Sequence, residues 1–131
     1  MEKVVADTDI IIDFLRTNKG LLPKLRKLQE EGVLEIYISS ITVMELFAGE
    51  MKSTQRKMLD ELLVYFKVIS FDDDIARFAG REKKGKKLQI QLSDFIIGIT
   101  SIYLQTTLAT RNKEHFRGIP KIKFFPNKKA A

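Results

Sequence analysis

The stretch that most constrains this chain is residues 3–13, KVVADTDIIID. Val4, Val5 and Ala6 form a short apolar run, and the carboxylate of Asp7 follows at once. An apolar run bounded by polar residues reads as a buried strand. Thr8 or Asp9 then caps a helix carrying Ile10, Ile11, Ile12, Phe14 and Leu15. Asp7 therefore falls at the carboxyl end of a first strand, where open α/β sheets place their ligands. Asp9 and Asp13 follow closely, and carboxylates so near one another repel unless a cation or protons intervene. A helix cap with a solvated acidic face accounts for the same residues, so the rest of the chain has to decide.

Strands and helices alternate after this start. Residues 21–28 read as an amphipathic helix with Pro23 in its first turn, ended by Gly32. Residues 34–40, LEIYISS, read as a second strand. Residues 41–50 read as a helix burying Val43, Met44, Leu46 and Phe47, and a further helix begins at Ser53. Residues 67–71 look like a third strand, and Asp72, Asp73 and Asp74 open a helix that runs into the basic stretch REKKGKK. Residues 92–104, LSDFIIGITSIYL, are apolar nearly all round, the mark of a buried helix. Residues 106–110 and 122–125 read as the last two strands, and the tail NKKAA as frayed. The pattern predicts one α/β domain, a three-layer α/β/α sandwich around a mainly parallel sheet of four to five strands. A chain of 131 residues suits a single domain over residues 1–131.

Composition narrows the chemistry. The chain has no cysteine and a single histidine, His115, which rules out disulfides, thiolate sites and multi-histidine metal sites. Any metal is held by oxygen, which favours Mg²⁺ or Mn²⁺. No apolar run is long enough to span a bilayer, and MEKVVADT lacks the regions of a secretory signal, so a cytoplasmic location is expected. The formal net charge is +6, unevenly spread. Residues 1–74 hold 10 basic and 14 acidic side chains; residues 75–131 hold 13 basic and 3 acidic. Such a half suits a polyanion, or simply a solubilising surface.

Three carboxylates are placed near one sheet rim: Asp7 after the first strand, Glu45 in the helix after the second, and Asp94 at the start of the buried helix. Each has a structural reading. Thr42 and Glu45 fit a capping box, Asp94 suits a helix dipole, and Asp13 can pair with Arg16. His115 reads as a loop residue. Grouped oxygen ligands beside a basic surface suit metal-assisted cleavage of a phosphodiester.

Four segments resemble the PIN domain, and within it the toxin ribonucleases of VapBC toxin–antitoxin pairs. They are ADTDIIIDFLR, ISSITVMELFAGE, the basic run leading to LSDFIIGITSIYL, and LATRNKEHFRGIPKIKF. The resemblance implies an endoribonuclease using Mg²⁺ or Mn²⁺, with Asp7, Asp94 and Glu45 at the metal. Glu45 also orients or deprotonates the attacking water, and Asn112 is a supporting polar contact where many relatives carry an aspartate. Asp9 reads as a cap or a supporting group. Arg81, Lys83, Lys84, Lys86, Lys87, Arg111, Lys113 and Arg117 are candidate RNA contacts. A homodimer and a cognate antitoxin lying over the active-site groove are likewise implied. Two other readings stand beside it. One is a catalytically silent PIN-like nucleic-acid-binding module, to which Asn112 lends support. The other is a haloacid-dehalogenase-like phosphatase, suggested by Asp7-Thr8-Asp9 but lacking that family's threonine at position 11, which is Ile11.

Overall fold

A computed structural model describes residues 1–126; the tail NKKAA lies outside the described residues. The elements in chain order are β1 (Glu2–Ala6), α1 (Thr8–Thr17), α2 (Leu22–Glu30), β2 (Leu34–Ser39), α3 (Ser40–Ala48), α4 (Ser53–Leu63), β3 (Lys67–Ile69), α5 (Asp73–Lys83), α6 (Leu92–Tyr103) and β4 (Thr107–Ala109), then a 3-10 turn, Lys113–His115. Among the described residues the sheet has four strands in the order β3-β2-β1-β4, every neighbouring pair parallel. Val4 pairs with Ile36 on one side and Thr107 on the other, so β1 is central.

Alternation along the central strands explains the three layers, because successive strand side chains point to opposite faces. Val4, Ala6, Ile36 and Ile38 join one core with Ile10, Ile11, Leu25, Leu46 and Leu59, which come from α1 to α4. Val5, Tyr37 and Leu108 join a second core with Ile75, Phe95, Ile97, Ile99 and Phe116. Strands apolar on both faces are what a parallel sheet covered by helices requires. No helix of the described residues is long and apolar enough to cross a membrane.

Several local expectations are corrected. Asp7 itself caps α1, its carboxylate accepting from the Thr8 backbone N–H, so the cap is neither Thr8 nor Asp9. The cap of α3 is Ser39, whose hydroxyl accepts from Ile41 N–H; Thr42 sits a turn inside the helix, and there is no capping box with Glu45. Met44 and Phe47 are exposed on α3 rather than buried. The expected strand over residues 122–125 is reduced to one parallel bridge, Leu108 to Phe124. Two of the expectations hold: the triplet Asp72–Asp74 opens α5, with Asp72 as its cap, and α6 is buried from Phe95 to Ser101.

Phe116 is fully buried against α6, where Gly98 leaves it room: a Cβ at position 98 would lie 2.4 Å from Ile119 Cδ1 and 3.3 Å from Phe116 Cδ1. This contact holds the segment after β4 against the sheet. Phe116→Ala is expected to cost about 3–5 kcal/mol of folding stability in chemical denaturation. A loss below about 1 kcal/mol would show that the segment is held by other contacts.

Candidate active site

The carboxyl ends of the strands converge where β1 lies between β2 and β4. The chain leaves β1 toward β2, and β4 later docks on the other side, so this is a reversal in strand order, the place where open sheets form a crevice. Asp7 stands at its floor. Its backbone N–H continues the β1·β4 ladder by donating to Ala109 O at 2.9 Å. Its carboxylate accepts from Thr8 N–H at 2.7 Å and from the Thr110 hydroxyl at 2.8 Å. It is buried, with 6% of its surface exposed. Burial first, and the charge of Asp9 second, push its pKa up to about 7; the Thr110 and Thr8 hydrogen bonds oppose this, and Asp94 adds to it.

Asp9, in the first turn of α1, has more partners at the site than a cap would need. Its carboxylate accepts from the Asn112 side-chain amide at 2.8 Å and from Arg111 N–H at 3.3 Å. Burial raises its pKa, and the Arg111 N–H is the largest opposing influence. Asp94 lies in the first turn of α6 and its pKa is also raised, by burial first and then by Glu45 and Asp9; His115 opposes this across 3.7 Å. Asp94 and His115 share a shallow cavity of about 120 Å³ with Gln89, Ile90 and Gln91. Glu45 projects from α3 and accepts from the Thr8 hydroxyl at 2.6 Å, while Thr8 meets the buried Thr42 hydroxyl at 2.9 Å. An ionised Glu45 has no proton to give, so the single Thr8 hydrogen goes to Glu45 and Thr42 donates to Thr8.

The structure thus brings Asp7, Asp9, Glu45 and Asp94 within electrostatic reach of one another. Asn112 bonds to Asp9 and, through its N–H, to the Thr110 hydroxyl at 3.0 Å. Asp13 pairs with Arg111 at 3.5 Å instead of with Arg16, because the segment after β4 folds back over α1. His115 is not a bystander: its ring Nδ1 lies 3.7 Å from Asp94 Oδ2. Thr8 and Thr42, read above as caps, join the site through their hydroxyls, and so does Thr110. Hydroxyls that become donors only after the strands pair leave no mark in a linear pattern.

The candidate RNA contacts divide. Arg111, Lys113 and Arg117 follow β4; Arg111 lies beside the acids, Lys113 lies over the Phe124 ring and Arg117 pairs with Glu114. Lys83 lies over the ring of Phe95, the neighbour of Asp94. Lys86 donates to Glu82 O at the end of α5. Arg81, Lys84 and Lys87 are exposed.

The donor set is all oxygen and electrostatically crowded, which suits a hard divalent cation. Among the described residues no three acidic or histidine side chains converge as a ready-made cage.

The PIN domain profile matches residues 4–122, and the chain belongs to the PIN domain family. Its relatives include proteins named as VapC ribonucleases. Ribonuclease VapC10 of Mycobacterium tuberculosis is 31% identical over 116 residues, 86% of this chain and 85% of the relative. A toxin-antitoxin complex from Klebsiella pneumoniae contains a chain 30% identical, with TM-score 0.67, covering 91% of this chain and 94% of that one. VapBC2 from Rickettsia felis, bound to a DNA fragment from its promoter, shares the fold with TM-score 0.79 at 24% identity, covering 94% and 97%.

The crowding of acids has a thermodynamic sign. A carboxyl whose pKa rises from 3.8 unfolded to about 7 folded holds its proton better in the native state, so stability falls as pH rises between those values. Asp7→Asn keeps the cap and removes this penalty. In chelator, the melting temperature of Asp7→Asn is expected to exceed wild type, by a margin that grows from pH 4 to pH 7. Saturating Mg²⁺ is expected to raise wild type more than the variant. A variant melting below wild type throughout would make Asp7 a structural residue.

Proposed function

We propose that this protein is the toxin endoribonuclease of a VapBC-type pair, cleaving RNA phosphodiester bonds with Mg²⁺ or Mn²⁺. The observation that carries the reading is Asp7, a buried carboxylate at the strand-order reversal, faced by Asp9 and Asp94, with Glu45 bonded to the adjoining Thr8. Family membership and the ribonuclease relatives support the reaction class, and they set aside the phosphatase reading.

In this reading Asp7 and Asp94 hold the cation, with Glu45 completing the acidic pocket. The bound cation lowers the pKa of water and offsets charge on the phosphate. The chain's own groups do the rest. Thr8 and Thr42 hold the Glu45 carboxylate in one orientation, so Glu45 accepts the proton of the attacking water. Asn112 and the Arg111 N–H fix Asp9, keeping its charge beside Asp7. The basic side chains Arg81, Lys83, Lys84, Lys86, Lys87, Arg111, Lys113 and Arg117 supply the phosphate contacts of an RNA strand. Asn112 adds no negative charge, which favours one tightly held metal over two. The partners are a cognate antitoxin, as in the toxin-antitoxin complexes that share the fold, and a second copy of the chain. The cytoplasm, where RNA is met, is the proposed location.

The deciding experiment is RNA cleavage by the purified, antitoxin-free protein. Cleavage is expected with Mg²⁺ or Mn²⁺, to vanish in chelator and in Asp94→Asn, and to fall about 10²–10⁴-fold in Glu45→Gln, the span of a lost general base. RNA affinity is expected to fall linearly on a log–log plot against salt. Cleavage that persists in chelator would overturn the metal mechanism. Metal and RNA binding without any cleavage would favour the silent module.

A further inference from the structure

Beside the acidic pocket lies a second cleft, of about 350 Å³, whose lining includes Ile10, Asp13, Gly20, Lys24, Thr110 and Arg111. That volume is in the range of small-ligand sites. Thr110 is the wall between the two: its hydroxyl donates to Asp7 and its residue lines the cleft. Arg111 straddles them. Its backbone N–H serves Asp9, while its guanidinium reaches the other way, to Asp13 Oδ1 at 3.5 Å. Lys24 stands on α2 and forms no ion pair among the described residues.

Asp13 is the unusual member. Its side chain is only 18% exposed, and its second oxygen lies against Gly20, where a Cβ would come within 2.2 Å of Oδ2. Gly20 has φ +93°, so the turn closes over the carboxylate as only glycine readily allows. The cleft therefore holds two cations and one fixed acid. The guanidinium fork takes a phosphate as readily as a carboxylate, and the guanidinium held at 3.5 Å is itself 58% exposed, which makes a weak bond. An arriving phosphate gains Lys24 as well as Arg111.

We propose that this cleft is a subsite for the phosphate flanking the scissile one on the RNA strand, with Asp13 occupying Arg111 until the phosphate replaces it. This rests on the nuclease reading of the neighbouring pocket. Lys24 and Arg111 are then binding residues, and Asp13 weakens substrate binding in the resting protein. Lys24 escapes a charge count because it lies in the acidic half of the chain.

The test uses full-length protein, a fluorescent single-stranded RNA, and Lys24→Gln, Arg111→Gln and Asp13→Asn, each checked by thermal melting. In cleavage assays with Mg²⁺, Lys24→Gln and Arg111→Gln are expected to raise KM with kcat retained, and to make the log–log salt slope of RNA binding shallower by about one. Asp13→Asn is expected to lower KM by about two- to fivefold, the range an exposed ion pair supports. Its effect is expected to disappear in the Arg111→Gln background. RNA binding in chelator, followed by fluorescence anisotropy, separates the two readings. Normal metal-dependent cleavage with KM and salt slope unmoved in all three variants overturns the subsite and leaves the nuclease. Binding that responds to the variants without any cleavage keeps Lys24 and Arg111 as phosphate contacts but overturns both the nuclease and the subsite's place beside a scissile phosphate. Unmoved RNA binding, with a carboxylate-rich peptide displaced instead, assigns the cleft to a protein partner and overturns the proposal.

Discussion

The structure depends on one buried carboxylate. Asp7 ends the central strand, caps the first helix and accepts the hydroxyl of Thr110 from the neighbouring strand end. Two good hydrogen bonds make its burial tolerable, since an unpartnered buried carboxyl would cost several kcal/mol. They do not make its ionisation comfortable, because Asp9 and Asp94 stand close by. The fold thereby keeps a carboxylate with an unmet demand for positive charge. Removing that demand would ease folding, and the segment after β4 is arranged to preserve it: Asn112 and Arg111 N–H fix Asp9 rather than neutralise Asp7.

Charge is distributed against the average of the molecule. The chain carries +6 overall, yet Asp7, Asp9, Glu45 and Asp94 lie within electrostatic reach of one another at one sheet rim. Basic residues border this negative focus and do not fill it: His115 faces Asp94 and Arg111 faces Asp13. A polyanion is drawn by the surroundings, while a small hard cation suits the centre. The two preferences conflict on a single surface, and the fold resolves them by depth, acids on the floor and bases on the rim.

The layers were legible in the sequence because burial on both faces of a parallel sheet writes an apolar run and burial of a helix writes a period. Val4 to Ala6 and residues 92–104 carry such signals. Asp7, Glu45 and Asp94 were legible because a carboxylate directly after a strand or at the head of a buried helix has few reasons to be there. What stayed hidden was set by contacts between distant segments. Asp9 looked like a cap because its partners, Arg111 and Asn112, lie 102 and 103 residues away. Thr42 and Glu45 matched a local capping pattern, but Ser39 already filled that role one turn earlier. Met44 and Phe47 were assigned to the core on hydrophobicity alone, yet a nine-residue helix has only one buried stripe, and here Thr42 and Leu46 occupy it.

The hydrogen bond between Thr110 and Asp7 spans 103 residues. It has a consequence for timing. Closing so long a loop is among the slow events of folding, since its entropy is lost before the contact is gained. Pairing of β1 with β2 needs no residue beyond 39, but the floor of the acidic pocket stays open on the β4 side until Thr110 arrives. A ribosome part-way through this message holds a nascent chain whose acidic centre is unfinished. Maturation of the site is thus coupled to the arrival of a residue made 103 positions after Asp7.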